Sequence, residues 1–138
     1  MAKSEVKYWR IAAGHPERED HRFEIESLIL GDWLRHDYIS IGAEDPKQIS
    51  RERFDEMEDG DKIAVITDEY LWSIGEIKGL IYRRESEDLH SVRRNVIWQK
   101  IMRLRYDTFP ESVKNKLRTP HMVVPLSESD WNIILSRL

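Results

Sequence analysis

The chain has 138 residues, a length that fits one domain with a hydrophobic core of its own. It contains no cysteine, which excludes disulfides, thiolate metal sites and cysteine nucleophiles. No apolar run approaches the roughly 18 residues that a membrane span needs, and the N-terminus has no signal-peptide pattern, so we expect one cytoplasmic domain over residues 1–138.

Charge is unevenly distributed along the chain. The net charge is −4, yet Glu76 to Arg118 holds eleven Lys or Arg against six Asp or Glu, a local +5 that leaves −9 for the rest. Lys and Arg beside phosphates supply most nonspecific affinity for nucleic acids, although a solvated protein face gives the same pattern. The charged fraction of 35%, without cysteine, also leans toward a heat-adapted source.

The first part of the chain alternates between a predicted strand and a predicted helix. β-branched and aromatic residues predict a strand at Val6–Ala13. Apolar spacing predicts a helix over Phe23–Leu30, ended by Gly31 in the left-handed conformation. A short apolar run predicts a second strand at Tyr38–Ile41.

The middle of the chain predicts a helix, a hairpin and a long strand. Ser50 is the expected N-cap of a helix over Arg51–Met57. Lys62–Thr67 and Leu71–Tyr82 form the expected hairpin, with glycines in the second strand that allow it to bend. Asn95–Arg105 is the expected long strand. Its apolar residues fall on one face, namely Val96, Trp98, Met102 and Leu104.

The C-terminal part predicts two helices that flank a strand. Pro110 suits the first turn of a short helix, and Met122–Val124 follows as a strand. Ser127 and Asp130 predict a capping box for a last amphipathic helix. Together the elements predict an α+β fold, a small curved, mostly antiparallel barrel with three or four surrounding helices.

No catalytic motif is recognisable in the sequence. The five histidines do not stand at metal-ligand spacing, and the chain has no nucleophile elbow, Walker loop or dinucleotide fingerprint. We therefore predict no catalytic residue, no metal and no cofactor, and hence no enzyme.

Tryptophan and arginine suggest a binding pocket instead. Trp33 follows Gly31 in the predicted turn, and Trp72 stands beside Tyr70 near the hairpin turn. If these rings converge, an extruded base could stack between them, although core packing is the alternative for Trp72. Arginines near the pocket are the candidates for phosphate binding, namely Arg35, Arg83, Arg84, Arg93 and Arg94.

An ordered series of short motifs points to a family. It consists of Tyr8-Trp9-Arg10-Ile11, the Trp33 turn, Gly60 to Val65, Trp72 to Ile77, His90 to Trp98 and Val124 to Leu126. This series resembles the EVE and YTH branch of the PUA-like superfamily, especially the N-terminal domains of McrB-type restriction proteins. The resemblance covers nearly the whole chain.

The resemblance implies a barrel with a cleft in which a methylated base sits in an aromatic cage. Trp33 matches the cage tryptophan that follows the first helix of YTH domains. The loop after the Gly75-Glu76 strand contains no second tryptophan, so the other wall falls to Tyr70, Trp72 or Tyr38. By the same matching, the end of the first strand lines the cleft, including Ala13 and His15.

With these residues, the resemblance implies a noncatalytic reader of methylated DNA that flips the base out of the duplex. The resemblance makes it the targeting domain of a restriction system, with a motor or nuclease subunit as partner. An RNA-binding PUA-like module is the nearest alternative. An ASCH-like hydrolase of a modified nucleoside is a third. It would need a lysine and an acid that converge in the cleft, and Lys78 with Glu76 fits this poorly, because such neighbours on one face of a strand also form routine surface ion pairs.

Overall fold

The computed structural model describes residues 5–13, 30–41, 49–67, 70–83, 92–119 and 121–138, which contain six strands and four helices. The strands are β1 (Tyr8–Ala12), β2 (Tyr38–Ile41), β3 (Lys62–Ile66), β4 (Tyr70–Arg83), β5 (Val92–Arg105) and β6 (Val123–Leu126). The helices are α1 (residues 30–36), α2 (Ile49–Glu56), α3 (Glu111–Arg118) and α4 (Glu128–Ser136). No helix among these residues is long and apolar enough to cross a membrane.

The six strands form one sheet in the order β2-β5-β4-β3-β1-β6. β1 pairs in parallel with β3, and the other neighbouring strands pair antiparallel. The sheet curls into a half-barrel, helped by register shifts along β4 and β5. The predicted α+β class with a curved, mostly antiparallel sheet is thus confirmed.

Both faces of the sheet are covered by apolar side chains. The first cluster contains Trp9, Ile11, Trp33, Tyr38, Ile39, Phe54, Ile63, Val65, Ile77 and Val96, among others. The second cluster lies under α3 and α4 and includes Ile74, Tyr106, Phe109, Val113, Leu117, Trp131 and Ile134. Because the central strands are buried on both faces, their side chains are apolar on consecutive positions rather than on alternate ones.

A bulge in β5 divides its apolar residues between the two clusters. Gly75 pairs with Trp98 and Ile74 with Lys100, so Gln99 is an extra residue on β5. Trp98 packs against the first cluster, whereas Met102 packs against the second. The predicted single apolar face of this strand is therefore wrong, because one inserted residue turns the following side chains over.

A buried carboxylate joins β1 to the turn before β3. Asp61 is fully buried and accepts hydrogen bonds from the Trp9 indole Nε1 at 3.0 Å, from the Lys7 N–H at 3.1 Å and from the Glu58 N–H at 2.9 Å. A carboxylate is stabilised in the interior when several N–H groups donate to it. Asp61 thus fixes the indole of Trp9 within the first cluster.

Cap signals in the sequence were correct at α4 and wrong at α2. Ser127 and Asp130 form the predicted capping box. α2 begins at Ile49, so Ser50 lies inside its first turn and is not the N-cap. The Ser50 hydroxyl instead accepts hydrogen bonds from the N–H groups of Met122 and Val123, at 3.1 and 3.3 Å, which fixes α2 against the start of β6.

Candidate nucleic-acid interface

Trp33 lies in α1 and not in the predicted turn. The helix continues through Gly31, and the left-handed residue that ends it is Asp37, with a φ of 58°. The N–H of Asp37 donates to the Trp33 carbonyl at 3.0 Å. Aspartate tolerates this conformation better than most side chains, so α1 needs no glycine at its end. Because α1 continues past Gly31, Trp33 lies in the first cluster, and its side chain is 0% exposed.

Two hydrogen bonds to the strands β2 and β5 fix the position of Trp33. Its indole Nε1 donates to the Ser40 hydroxyl at 2.7 Å, and its carbonyl accepts from the Trp98 indole Nε1 at 3.1 Å. Buried indole N–H groups need such partners, since an unpaired one costs about 1–3 kcal/mol. α1, β2 and β5 therefore meet at this tryptophan.

Tyr38 and Arg93 lie beside this contact, on neighbouring strands. Arg93 pairs in register with Ser40, and its guanidinium carbon lies 4.2 Å from the centre of the Tyr38 ring. Both side chains are nearly buried. We call Trp33, Tyr38, Ser40, Arg93 and Trp98 the inner aromatic group. A partly desolvated cation on an aromatic face stabilises the pair by roughly 1–2 kcal/mol.

Arg94 has a structural task that the sequence did not reveal. It is 3% exposed, and its guanidinium donates to the carbonyls of Met57 and Gly79, the latter at 2.6 Å. Burial lowers the pKa of Arg94, and carboxylates nearby, with Asp59 first among them, act in the opposite direction. The residue ties the β4–β5 hairpin to the end of α2, and its role in phosphate binding stays a prediction.

A second set of aromatic and basic residues lies where β4 begins and β5 ends. We call Tyr70, Trp72, Arg103 and Arg105 the strand-end patch. The rings of Tyr70 and Trp72 are half-buried, 5.7 Å apart and inclined by 51°. The Arg103 guanidinium carbon lies 4.5 Å from the centre of the Tyr70 ring and 5.8 Å from that of Trp72. Arg105 lies 5.8 Å from the Tyr70 ring, and both arginines are exposed.

The predicted pocket aromatics occupy two places along β5. Tyr38 is paired with Asn95, whereas Tyr70 is paired with Arg105, ten positions further along the strand. Ten residues of strand span roughly 33 Å. Trp72 is the member of the strand-end patch that also packs against the first cluster. The structure therefore places Trp33 and Tyr38 in the first cluster, and it places Tyr70 next to Trp72.

The other predicted site residues are scattered. Ala13 follows β1, is buried, and donates its N–H to the Ile66 carbonyl at 2.9 Å. Arg35 is exposed on α1, where its Nε donates to the Gly31 carbonyl at 3.3 Å. Arg83 is the last residue of β4. His15 and Arg84 lie outside the described residues.

An open groove of about 610 Å³ lies elsewhere, between the N-terminal segment and the start of α4. Glu5, Glu56 and Glu128 line it, with Lys7 as a counter-charge. Phosphates are repelled by such a lining. The end of β5 that carries arginines is therefore the more favourable surface for binding a nucleic acid.

Lys62, Glu76 and Lys78 form an ion-pair network. The two Glu76 oxygens lie 2.7 Å from the Lys62 Nζ and 2.8 Å from the Lys78 Nζ. Hydrogen bonds from Lys62 and then Lys78 lower the pKa of Glu76 from 4.5 to about 2. The pair that the hydrolase alternative requires is thus engaged in a three-residue network of β3 and β4.

This network predicts acid-dependent stability. Because the folded-state pKa of Glu76 is below 4.5, its contribution is complete above that pH and is lost as the pH falls toward 2. We expect Glu76→Gln to lower the free energy of unfolding by about 1 kcal/mol at pH 6, and by less than half of that at pH 2.5. Urea unfolding of both proteins at the two pH values measures this. A difference independent of pH would contradict the assignment.

Solved structures share this fold at low sequence identity. The YTH domain of Zygosaccharomyces rouxii MRB1, solved in complex with N6-methyladenosine RNA, matches with a TM-score of 0.61 and 10% identity, over 99% of this chain and 89% of that one. The YTH domain-containing protein mmi1, solved in complex with RNA, gives 0.59 and 8%, over 96% and 80%. Rpa0253 from Rhodopseudomonas palustris gives 0.55 and 13%, over 95% and 92%.

No protein-family model and no curated protein sequence matches the chain. The structural matches show a YTH/EVE-like fold over nearly its full length, as the sequence resemblance implied. The inner aromatic group and the strand-end patch lie within that fold.

Proposed function

We propose that the chain is a noncatalytic nucleic-acid-binding module that recognises a modified base. The observation that carries the proposal is the shared fold, over 99% of this chain, with a YTH domain solved with N6-methyladenosine RNA. The sequence resemblance adds the finer proposal that the natural target is methylated DNA and that a restriction motor or nuclease is the partner.

The inner aromatic group is the proposed place for the modified base. Trp33 is held rigidly by Ser40 and Trp98, and Arg93 lies over Tyr38 beside it. Rigid rings of this kind form a wall against which a base stacks, with a gain of roughly 1–3 kcal/mol. Burying one added methyl group contributes about 0.8 kcal/mol more.

Base entry at this group requires a local rearrangement. Trp33 is 0% exposed, so the side chains that cover its ring must move before a base can reach it. That opening costs free energy, and the affinity falls in proportion to the fraction of molecules that are open. Both ligands pay the same opening cost, so the preference for a modified base comes from the contacts of its added methyl group.

Binding of matched oligonucleotides tests the proposal. Fluorescence anisotropy compares single-stranded RNA and DNA that carry either adenine or N6-methyladenine at one position. Duplexes with cytosine or 5-methylcytosine form a second comparison. We expect the methylated ligand to bind at least about fivefold more tightly in one of these pairs, since about 1 kcal/mol separates the two. Equal affinities within every pair would exclude modified-base recognition.

Trp33→Phe is the informative variant. It keeps an aromatic ring in the first cluster but removes the indole donor to Ser40. We expect the preference for the methylated ligand to fall about threefold or more. Trp131→Phe is the matched control, because it makes the same change at a buried tryptophan of α4, in the second cluster. Thermal unfolding of both variants confirms that they are folded, and an unchanged preference in Trp33→Phe would remove this tryptophan from the site.

A further inference from the structure

We propose that the strand-end patch is a second binding site, which takes an unpaired nucleic-acid strand by stacking its bases on Tyr70, Trp72 and Arg103. The inference shares with the proposed function only the class of ligand. It concerns unmodified strands, and it would hold even if the inner aromatic group discriminated no modified base. Its evidence is the geometry of the patch itself.

Tyr70 and Trp72 stand two residues apart in β4 and share a face of the strand, with a β-bulge at Trp72. Val65 pairs with Ser73 and Ile66 with Leu71, so Trp72 is an extra residue in β4 with no partner in β3. Bulges of this kind redirect a side chain. The indole Nε1 donates to the Thr67 hydroxyl at 2.7 Å, which holds the half-buried ring in one orientation. Two aromatic rings are thus fixed next to each other before any ligand binds.

Arginine completes the stacking surface. The Arg103 guanidinium lies over both rings and donates to the Tyr70 hydroxyl at 3.3 Å. A guanidinium has five N–H donors in one plane, so it can present a flat face to a base and N–H groups to a phosphate at once. Arg105 adds a second exposed cation, partly offset by Asp107 at 3.7 Å.

An apolar neighbour extends the same surface. Ile101 pairs with Ser73 next to the bulge and is 56% exposed. Aromatic rings, an exposed aliphatic side chain and two guanidinium groups suit the faces and sugars of nucleotides as well as their phosphates. Water makes few favourable contacts with the aromatic and aliphatic side chains of this surface. A nucleotide strand, by contrast, has a base face, a sugar or a phosphate to match each kind of side chain there.

An unpaired strand fits this surface better than a duplex does. In a duplex the base faces are stacked on each other, so the rings of Tyr70 and Trp72 would find no partner. Duplex binding without those rings would depend on phosphate contacts alone, and the chain carries a net charge of −4. Stacking on aromatic side chains tolerates any base sequence, so we expect binding without strong sequence preference.

Two pairs of arginine substitutions test the site at equal charge. Arg103→Gln with Arg105→Gln alters the patch, whereas Arg118→Gln with Arg137→Gln removes two exposed arginines from α3 and the end of α4. Anisotropy titrations use an unmodified oligouridine or oligothymidine of about ten nucleotides and, for comparison, a blunt duplex of similar length. We expect the patch variant to bind the single strand about tenfold more weakly, with a smaller salt dependence, and the control to change less than twofold.

Tryptophan fluorescence identifies the stacking ring. A base stacked on an indole quenches its emission, so oligouridine should quench wild-type protein and Trp33→Phe but not Trp72→Phe. Tyr70→Ala should weaken binding about tenfold, while Trp72→Phe keeps a ring and should weaken it less. Loss of quenching in Trp33→Phe instead of Trp72→Phe would overturn the assignment.

The outcomes for the two proposals are distinguishable. If methylated and unmodified ligands bind equally but the patch variants lose the single strand, the second site stands and modified-base recognition fails. If the two arginine pairs behave alike, if the duplex binds as tightly as the single strand, or if the patch variants lose only thermal stability, the strand-end patch is a structural cluster and the inference is wrong.

Discussion

Gly75→Ala is expected to lower the free energy of unfolding by about 3 kcal/mol, because the added methyl group meets closely packed atoms. A Cβ at Gly75 would lie 2.7 Å from the Val96 Cγ1, 2.9 Å from the Ile97 carbonyl oxygen and 2.9 Å from the Trp98 ring. Two of these contacts involve a strand backbone or a ring within a packed region, so little can yield. Chemical denaturation measures the loss.

The effect should extend to the inner aromatic group. Trp98 lies against the position of the added methyl group and also donates its indole N–H to Trp33. Displacing Trp98 therefore removes one of the two hydrogen bonds that fix Trp33, and we expect a smaller preference for the modified ligand in Gly75→Ala.

Gly79→Ala is the matched control for this prediction. Gly79 lies on the same strand with a φ of 77°, and nothing lies within 4 Å of its absent Cβ. Alanine there meets backbone strain of roughly 1–2 kcal/mol but no clash. If Gly79→Ala destabilises the protein as much as Gly75→Ala, the close approach of β4 to β5 is not what requires glycine at position 75.

The strands were largely predictable because buried strands require runs of apolar and β-branched residues, which are visible in the sequence. The limits of β2 were predicted correctly, and β5 begins only three residues before the predicted start. The alternation of side chains along a strand could not predict where a bulge interrupts the pairing. The bulges at Trp72 and Gln99 depend on which residues pair across strands, and pairing is a tertiary property.

The position of Trp33 was predictable in part. Leu30, Trp33 and Leu34 stand at helical spacing, a signal that the helix continues past Gly31. Gly31 nevertheless predicted the end of the helix, since glycine often ends a helix. Packing decided otherwise: the apolar side of α1 lies on the first cluster, and Asp37 takes the left-handed conformation instead.

Only the aromatic residues of the strand-end patch could be predicted from the sequence. Tyr70 and Trp72 were recognised as an aromatic pair near a turn, but Arg103 and Arg105 are some thirty positions away in the chain. Their meeting depends on the β4–β5 register, in which Tyr70 pairs with Arg105. A long hairpin brings distant residues together in a way that composition alone does not show.

Arg10 is a further buried charge that was not predicted from the sequence. It lies in β1 between Trp9 and Ile11 and is fully buried, although arginine is normally an exposed residue. Its guanidinium donates to the carbonyls of Lys116, Thr119 and Met122, at 3.2, 2.9 and 3.5 Å. These carbonyls lie at and beyond the C-terminal end of α3, where the helix dipole favours a cation.

Burial lowers the pKa of Arg10 from 12.5 to about 10, so the guanidinium keeps its charge at neutral pH. Arg10→Met should fill much of the same volume but leave the carbonyls at the end of α3 without their donor. We expect the free energy of unfolding to fall by about 3–4 kcal/mol. An unsatisfied buried polar group costs about 1–3 kcal/mol, and more than one carbonyl would lose its donor.

Arg10→Lys separates charge from hydrogen bonding in this prediction. A lysine retains the cation near the helix end but cannot span three carbonyls with one ammonium group. Thermal and urea unfolding should therefore place it between wild type and Arg10→Met. Because α3 and α4 cover the sheet face opposite the inner aromatic group, both variants should keep their preference for a modified ligand as long as they are folded. A loss of preference in folded Arg10→Lys would show that the two faces of the sheet are coupled.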